Sequence, residues 1–288
     1  MRTAVVHPCD ALAIEGALAC ADAGLIVPVL VGNEKKIRAA ANAAGIDVSH
    51  QEIVDAPHSH AAAALAAEMA RAGKVEALMK GSLHSDELLH EVTQPASGLH
   101  TQRRISHGFV ADVPAYAQSL VISDAVVNVA PTLDEKRDIV QNAIDLAHAI
   151  GVEEVRVALL SAVETVSSRI PSTLDAAALC KMADRGQIAG ASVDGPLALD
   201  DAISSAAALE KTIRSSVAGC ANVLIVPDLD SGNMLAKALG LLANAALAGV
   251  VLGARIPIVL TSRADSVETR IASAAIGLLL ARARVQLH

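Results

Sequence analysis

Aromatic residues are almost missing from this sequence. In 288 residues there is no Trp, one Tyr (Tyr116) and one Phe (Phe109), 1% in all. Single-stranded nucleic acids are held on rows of aromatic rings, and two scattered rings cannot form such a platform. Hydrophobic residues nevertheless make up 53% of the chain. The core must therefore be built from Ala, Val, Leu and Ile, which favours close contact of helix against sheet. A basic excess is also absent. Lys and Arg total 23 against 31 Asp and Glu, a net charge of −8. That balance excludes a general nucleic-acid or anionic-membrane surface. A small polyanion can still be bound where a few cations converge, and Lys80, Arg103, Arg104, Lys237 and Arg263 are the candidates. The four cysteines, Cys9, Cys20, Cys180 and Cys220, show no C-x-x-C and no regular spacing. They are expected to be buried reduced thiols.

Other absences narrow the chemistry. The opening MRTAVVHPCDALAIEG is too short and too interrupted in its apolar part for a signal peptide. The most apolar region, Leu239 to Leu260, is broken by Asn244 and Arg255 and punctuated by Gly and Pro, so no membrane span is expected. These two readings together predict a cytoplasmic protein. There is no G-x-x-x-x-G-K-[ST] phosphate loop, no convincing G-x-G-x-x-G dinucleotide turn and no G-x-S-x-G elbow. His58 and His60 precede a helix without Cys or paired carboxylates beside them, so no metal site is expected.

What is present is an alternation of strand and helix patterns. VVH, VPVLVG, QEIVDA and VEALMKG read as strands, with EGALACADAG, KKIRAAANAAG and AAAALAAEMARAGK as the helices between them. That order predicts a parallel sheet with helices on both faces. RRISHGFVADV and QSLVISDAVVNVAP break the rhythm and predict antiparallel additions. TLDEKRDIVQNAIDLAHAIG predicts an amphipathic helix with Thr132 as N-cap and Gly151 as C′. A second series begins at VRVALLSAVE and runs through ANVLIVPD, MLAKALGLLANA, AGVVLGA and IPIVLTS to a last helix over about 266–283.

Between these lies PSTLDAAALCKMADRGQIAGASVDGPLALDDAIS, residues 171–204. Its helix is expected to start at Ser172 and Thr173, to face inward with Leu174, Ala177, Ala178 and Met182, and to stop at Gly186. IAGASV is expected as a strand. Asp194, Asp200 and Asp201 would then sit in the next loop and helix start, shaped by Gly195-Pro196.

Three polar segments come directly after predicted strands, where α/β proteins keep their ligands. In Thr261-Ser262-Arg263-Ala264-Asp265-Ser266, an exposed helix start suits an anion. Arg263 can fork onto phosphate oxygens, Ser262 can donate to a developing oxyanion, and Asp265 can take a proton. Simple N-capping by the same residues is the alternative. In PDLDSGNMLAKAL (227–239), Asn233 is placed near a helix start and Lys237 one turn later. In Lys80-Gly81-Ser82-Leu83-His84, Lys80 and Ser82 suit an anion, while His84 is either a proton shuttle or a structural hydrogen bonder. Arg103 and Arg104 either contact phosphate or form a solvated pair.

Together Asp194-Gly195-Pro196, Asp200, PDLDSGNMLAKAL and TSRADS resemble the phosphate acetyl/butyryltransferase family. KGSLHSDELL, RRISH, DAVVNVAP and VALLSAVE extend that resemblance over nearly the whole chain. It implies two α/β/α domains with mixed, mostly parallel sheets, a fold like that of isocitrate and isopropylmalate dehydrogenases. The domains would be 1–150 plus 256–288 and 151–255, with the active site in the interdomain cleft. The activity implied is reversible acyl transfer between an acyl phosphate and coenzyme A, with coenzyme A as substrate, no tightly bound cofactor, and a homodimer as assembly. Apolar GLLLARARV of the last helix is a candidate part of the dimer contact.

Carried over by motif, Ser262 and Arg263 match the family's Ser-Arg pair that holds substrate and stabilises the transition state. The GN-x-x-x-K spacing of Asn233 and Lys237 also matches. The expected site is thus Ser262, Arg263 and Asp265 as catalytic residues, with Lys80, Ser82, Arg104, Asn233, Lys237 and Asp194 binding substrate. Acetyl-type members place an aspartate seven residues after the serine; here Thr269 stands there, after Glu268. The base assigned is therefore Asp265, with Glu268 second. TSRADS itself is typical of the butyryl branch. KGSLHSDELL and RRISH look like the transferase portion fused to a hydratase in some bacterial acetyltransferases, and they rank acetyl ahead of butyryl. A metal- and NAD-dependent decarboxylating dehydrogenase, using Asp194, Asp200 and Asp201, is the remote alternative, and a non-catalytic binding protein is another.

Overall fold

A computed structural model describes residues 1–262 and 265–286, with side chains through residue 283. The chain begins with strands and helices in strict alternation: β1 (Arg2–Val6), α1 (Ala11–Asp22), β2 (Val27–Gly32), α2 (Glu34–Ala44), β3 (Glu52–Asp55), α3 (Ser59–Arg71), β4 (Ala77–Lys80) and α4 (Ser85–Thr93). The helix starts are set by side chains that accept an otherwise unsatisfied N–H. Asp10 caps α1 through Ala13, Asn33 caps α2 through Lys36, and the His58 ring caps α3 through Ala61. His58 is thus a capping residue.

The middle of the chain forms β5 (Ser106–Asp112), β6 (Leu120–Ser123), α5 (Leu133–Ala149), β7 (Arg156–Leu160), α6 (Pro171–Asp184), β8 (Ser192–Leu197), α7 (Leu199–Ile203), α8 (Ser205–Glu210), β9 (Val223–Ile225) and α9 (Leu229–Leu242). β5 and β6 pair antiparallel, as their alternation predicts. α5 carries a full capping box between Thr132 and Glu135, and Gly151 beyond it has φ +91. The chain closes with β10 (Ala246–Leu252), β11 (Ile258–Val259) and α10 (Val267–Gln286). β10 and β11, consecutive in the sequence pattern, form an antiparallel hairpin.

The chain packs as two units, Met1–Ile105 with Ala248–His288, and Ser106–Leu247. In the first, the strands run β3-β2-β1-β4-β11, all parallel, with β10 antiparallel to β11. Its core includes Val5, Ile14, Leu30, Ile37, Met79 and Val259. In the second they run β5-β6-β9-β7-β8, parallel from β6 onward, around Ile122, Ala158, Leu197 and Leu224. The rhythm of the sequence changes near Gly151, but the chain passes from one unit to the other at 105/106. The reason is pairing: β6 lies beside β9, so β5, β6 and α5 pack with the strands from β7 to β9.

Residues 171–204 fold differently from their local pattern. α6 has Ile170 as its N-cap with no side-chain hydrogen bond, and Pro171 at its first position, where a missing N–H costs nothing. Ser172 and Thr173 are inside the first turn. Its inward face is Thr173, Ala176 and Leu179, while Leu174 is 45% exposed. The Thr173 hydroxyl donates within the 167–170 turn, which rotates that face inward. β8 starts at Ser192 and contains Asp194-Gly195-Pro196, so Asp194 is a strand residue beside Ala158 of β7. Gly195 is needed there for close approach, since a Cβ would lie 2.7 Å from both Leu159 Cβ and Leu159 O. Among the cysteines only Cys20 is buried; Cys9, Cys180 and Cys220 are half-buried, and none is in a disulfide.

Asp200 and Asp201 are gathered by one lysine. Lys211 Nζ lies 2.9 Å from Asp201, 3.3 Å from Asp200 and 2.5 Å from Glu164. Asp201 is fully buried. The Lys211 hydrogen bond holds the Glu164 carboxyl below its usual range, and the Glu164 and Asp201 carboxylates push Lys211 upward. A depressed carboxyl stabilises the fold above its ordinary pKa, about 4.3, and that contribution is lost as pH falls through the folded value. Lys211→Met should therefore lower the urea midpoint at pH 7 and flatten its fall between pH 5 and 3. An unchanged acid slope would show that the cluster does not couple to folding.

Candidate active site

The strand order of the first unit places its polar loops. From β1 the chain moves outward to β2 and β3, then returns to the other side of β1 with β4. Ligands of open α/β sheets lie outside the carboxyl ends of strands at such a reversal. β11 adds in parallel on the far side of β4, with Leu78 beside Ile258 and Met79 beside Val259. The segments after β4 and β11 are consequently neighbours. Lys80 is 2% exposed, and its ammonium donates to the Thr261 carbonyl at 3.1 Å. Lys80 thus reaches the Ser262 segment through that carbonyl.

Ser262 is exposed. Its N–H donates to Asp265 Oδ2 at 2.6 Å, and the Asp265 N–H donates back to the Ser262 carbonyl at 3.2 Å. Ser262 and Asp265 are thus tied to each other, with one carboxylate oxygen held at the serine N–H. Arg263 lies outside the described residues. The helix starts where the sequence places it, near Ser266: the Ser266 hydroxyl accepts from the Thr269 N–H, and α10 begins at Val267. Ser262 therefore lies ahead of the helix start. Glu268 is exposed, and its carboxyl is held below the usual range, first by its own N–H and then by the Ser266 hydroxyl.

Ser82 is committed elsewhere. Its hydroxyl donates to the His7 carbonyl at 2.7 Å and accepts from the Cys9 N–H at 2.8 Å, tying the end of β4 to the loop after β1. In that loop Cys9 Sγ lies 3.6 Å from His7 Nδ1. Burial pushes the thiol up and the imidazole down, so both are held neutral. A thiol kept protonated is a poor nucleophile. Arg104 is exposed, after a turn in which Thr101 Oγ1 accepts from the Arg103 N–H and donates to the Gly253 carbonyl.

In the second unit, β6 and β9 are parallel neighbours, which brings Asp124–Val129 against Asp228–Asn233. Asp124 is 3% exposed. Its carboxylate accepts from the N–H groups of Val126, Val127 and Asn128 at 2.9–3.1 Å and from the Asn128 amide at 2.5 Å. Burial pushes its pKa up, and these donors oppose the shift. Asp228 caps α9 through Ser231, and Asn233 Nδ2 donates to the Ala125 carbonyl at 3.3 Å. Lys237 is exposed one turn further along α9. Asp194 is not part of this group; its carboxylate accepts from the adjacent Gly195 N–H and lies near Cys180.

Gly232 lets the two loops meet. A Cβ there would stand 2.7 Å from Val226 Cγ2 and 3.0 Å from Ala125 Cα and Asp124 O. Alanine gains about 1 kcal/mol of helix propensity, whereas overpacking costs about 1–3 kcal/mol. Gly232→Ala is expected to lose stability by about 1 kcal/mol net, read as a lower urea midpoint. A raised midpoint would mean that the loop yields freely.

Comparison with known proteins decides the family. A family described as "Phosphate acetyl/butaryl transferase" matches residues 58–278. The phosphate acetyltransferase of Rhizobium meliloti is 60% identical over 98% of this chain and 89% of its own length. The chain belongs to the phosphate acetyl/butyryltransferase family. The phosphate butyryltransferase of Clostridium acetobutylicum is 42% identical, over 90% of this chain and 86% of its own. Among solved structures, a branched-chain phosphotransacylase from Enterococcus faecalis V583 superposes with a TM-score of 0.84 at 27% identity, covering 98% of this chain and 99% of that one. A 4-hydroxythreonine-4-phosphate dehydrogenase from Klebsiella pneumoniae reaches 0.58 at 13% identity over 97% and 98%, a likeness of fold alone. The mixed α/β fold with mostly parallel strands is thus that of solved phosphotransacylases.

One buried cation beside Ser262 was not singled out from the sequence. Arg270 of α10 is 1% exposed and donates to Thr261 Oγ1 and the Ser262 carbonyl, each at 3.2 Å. It lies four residues before buried Ala274, on the helix's inward stripe. An arginine in register with an apolar stripe is the signal that would have found it.

Proposed function

We propose that this chain transfers an acetyl group reversibly between acetyl phosphate and coenzyme A. The observation carrying this reading is the 60% identity, over nearly the whole chain, to a protein named phosphate acetyltransferase. The lower identity to a butyryltransferase, 42%, ranks butyryl second. In the proposed reaction a carboxylate, assigned to Asp265, takes the proton of the coenzyme A thiol. The thiolate attacks the acyl carbonyl, forming the S–C bond. The C–O bond to phosphate then breaks, and phosphate leaves with the electron pair. Ser262 donates to the oxyanion as it develops, and Arg263 with Arg104 neutralises the departing phosphate. Asn233 and Lys237 are assigned to substrate binding in the second unit. No acyl-enzyme is needed, because a thiolate is already a strong nucleophile. Rate comes from bringing two substrates together and from placed positive charge.

The test is phosphate release dependent on coenzyme A from acetyl, propionyl and butyryl phosphate, side by side. Highest kcat/KM on acetyl phosphate is expected. A higher value on butyryl phosphate would reassign the acyl group, and no turnover of any by folded protein would overturn the reading. The same reading takes the chain to be a cytoplasmic homodimer, with sedimentation as the check on assembly. No described helix is long and apolar enough to cross a membrane.

A further inference from the structure

The largest fully buried side chain among the described residues is a cation. Arg270 stands in α10 against α1 so closely that a Cβ on Gly16 would lie 2.3 Å from Arg270 Cδ. Arginine keeps its charge in proteins, and removing it from water is costly unless partners compensate. Two of its nitrogens donate to Thr261 Oγ1 and Ser262 O, while its Nε–H is buried without an acceptor. Burial pushes the guanidinium down; the charges facing it are Asp10, Asp265 and, when ionised, Cys20. Lys80 meets the same short segment through the Thr261 carbonyl. Two buried cations thus grip two consecutive residues, and both bonds of Arg270 are spent on the residues that carry Ser262.

We propose that Arg270 is a positioning residue, fixing Thr261 and Ser262 so that the Ser262 hydroxyl and the Asp265 carboxylate stand in reactive register. This rests on the acyltransferase reading for its consequence, but not for its geometry. The guanidinium is planar and holds both acceptors at fixed angles, which a lysine's single ammonium cannot reproduce. Its charge also lies beneath the turn expected to meet a phosphate.

The experiment compares the parent with Arg270→Gln, Arg270→Lys and Gly16→Ala. The last keeps every charge and pushes Arg270 from behind. Amide hydrogen exchange is followed across the first unit, and kcat and KM are measured with acetyl phosphate and coenzyme A. In Arg270→Gln, exchange of the 261–266 segment should rise at least about tenfold while β1 and β4 stay protected. Its kcat should fall roughly a hundredfold, the scale of a small misplacement, with KM for coenzyme A within about twofold. Arg270→Lys should recover part of kcat, and Gly16→Ala should show the same pattern in milder form. If Arg270→Gln does not fold, the other two carry the test. Unchanged exchange at 261–266, or a rise spread evenly over the unit, would overturn the proposal. So would a folded variant that keeps kcat within about threefold of the parent. A parent that turns over no acyl phosphate would sink the acyltransferase reading, and the exchange data would still decide the positioning role.

Discussion

Replacing Arg263 by alanine is expected to lower kcat/KM for acetyl phosphate on the order of a hundredfold, about 3 kcal/mol of transition-state stabilisation. The leaving phosphate gains charge as the C–O bond breaks, and a guanidinium placed for that moment acts most strongly in the transition state. The loss should therefore appear mainly in kcat, with a smaller rise in KM. Arg263→Lys should restore little, because one ammonium cannot make two parallel bonds to phosphate oxygens. The flanking residues are anchored independently, since Asp265 accepts from the Ser262 N–H. The fold should survive the substitution, with an unchanged circular dichroism spectrum and urea midpoint. A change in kcat/KM of less than about threefold would remove Arg263 from the reaction.

The largest effect on stability is expected from Asp124→Ala. That carboxylate satisfies three backbone N–H groups and one side-chain amide in a loop where water has little access. Each buried donor left without an acceptor costs about 1–3 kcal/mol, and partial rehydration of Val126 and Val127 keeps the sum near the low end. A total of about 3–4 kcal/mol is expected, measured by urea unfolding. The Ala125 carbonyl bonded by Asn233 should shift as well, so KM for coenzyme A should rise together with the stability loss. A stability change below about 1 kcal/mol would mean that the loop is held by its packing against α9 instead.

Much of this architecture is legible in the sequence. The alternation through β4 reports itself because each helix carries its own cap and each strand a short apolar run. α5 is legible to the residue, as Thr132, Glu135 and Gly151 are local signals. The rest depends on contacts distant along the chain. Gly195-Pro196 looks like a turn by local chemistry, yet it lies in a strand because β8 pairs with β7, where Leu159 leaves no room for a side chain at Gly195. The inward face of α6 is hard to read because its small residues give almost no contrast between faces; the bonds of Thr173 decide its rotation. The division of units is displaced from the change in rhythm because β6 pairs with β9, a hundred residues further on. At the site, residue types were legible and their neighbours were not. The sequence marks Lys80 as a candidate anion binder and does not mark Arg270. Only the pairing of β4 with β11, and of α1 with α10, turns them inward.

The insertion of β11 between β4 and β10 has a consequence for the order in which the protein can assemble during synthesis. The second unit is one continuous stretch, complete once Leu247 has emerged. The first is not, although its first residues are made earliest. Until Ile258 and Val259 arrive, Leu78 and Met79 have an open edge on the side away from β1. Such an edge invites pairing with other chains. The unit started first in this chain is therefore the one that finishes last, and β4 waits with an exposed edge from Lys80 until Ile258 is made.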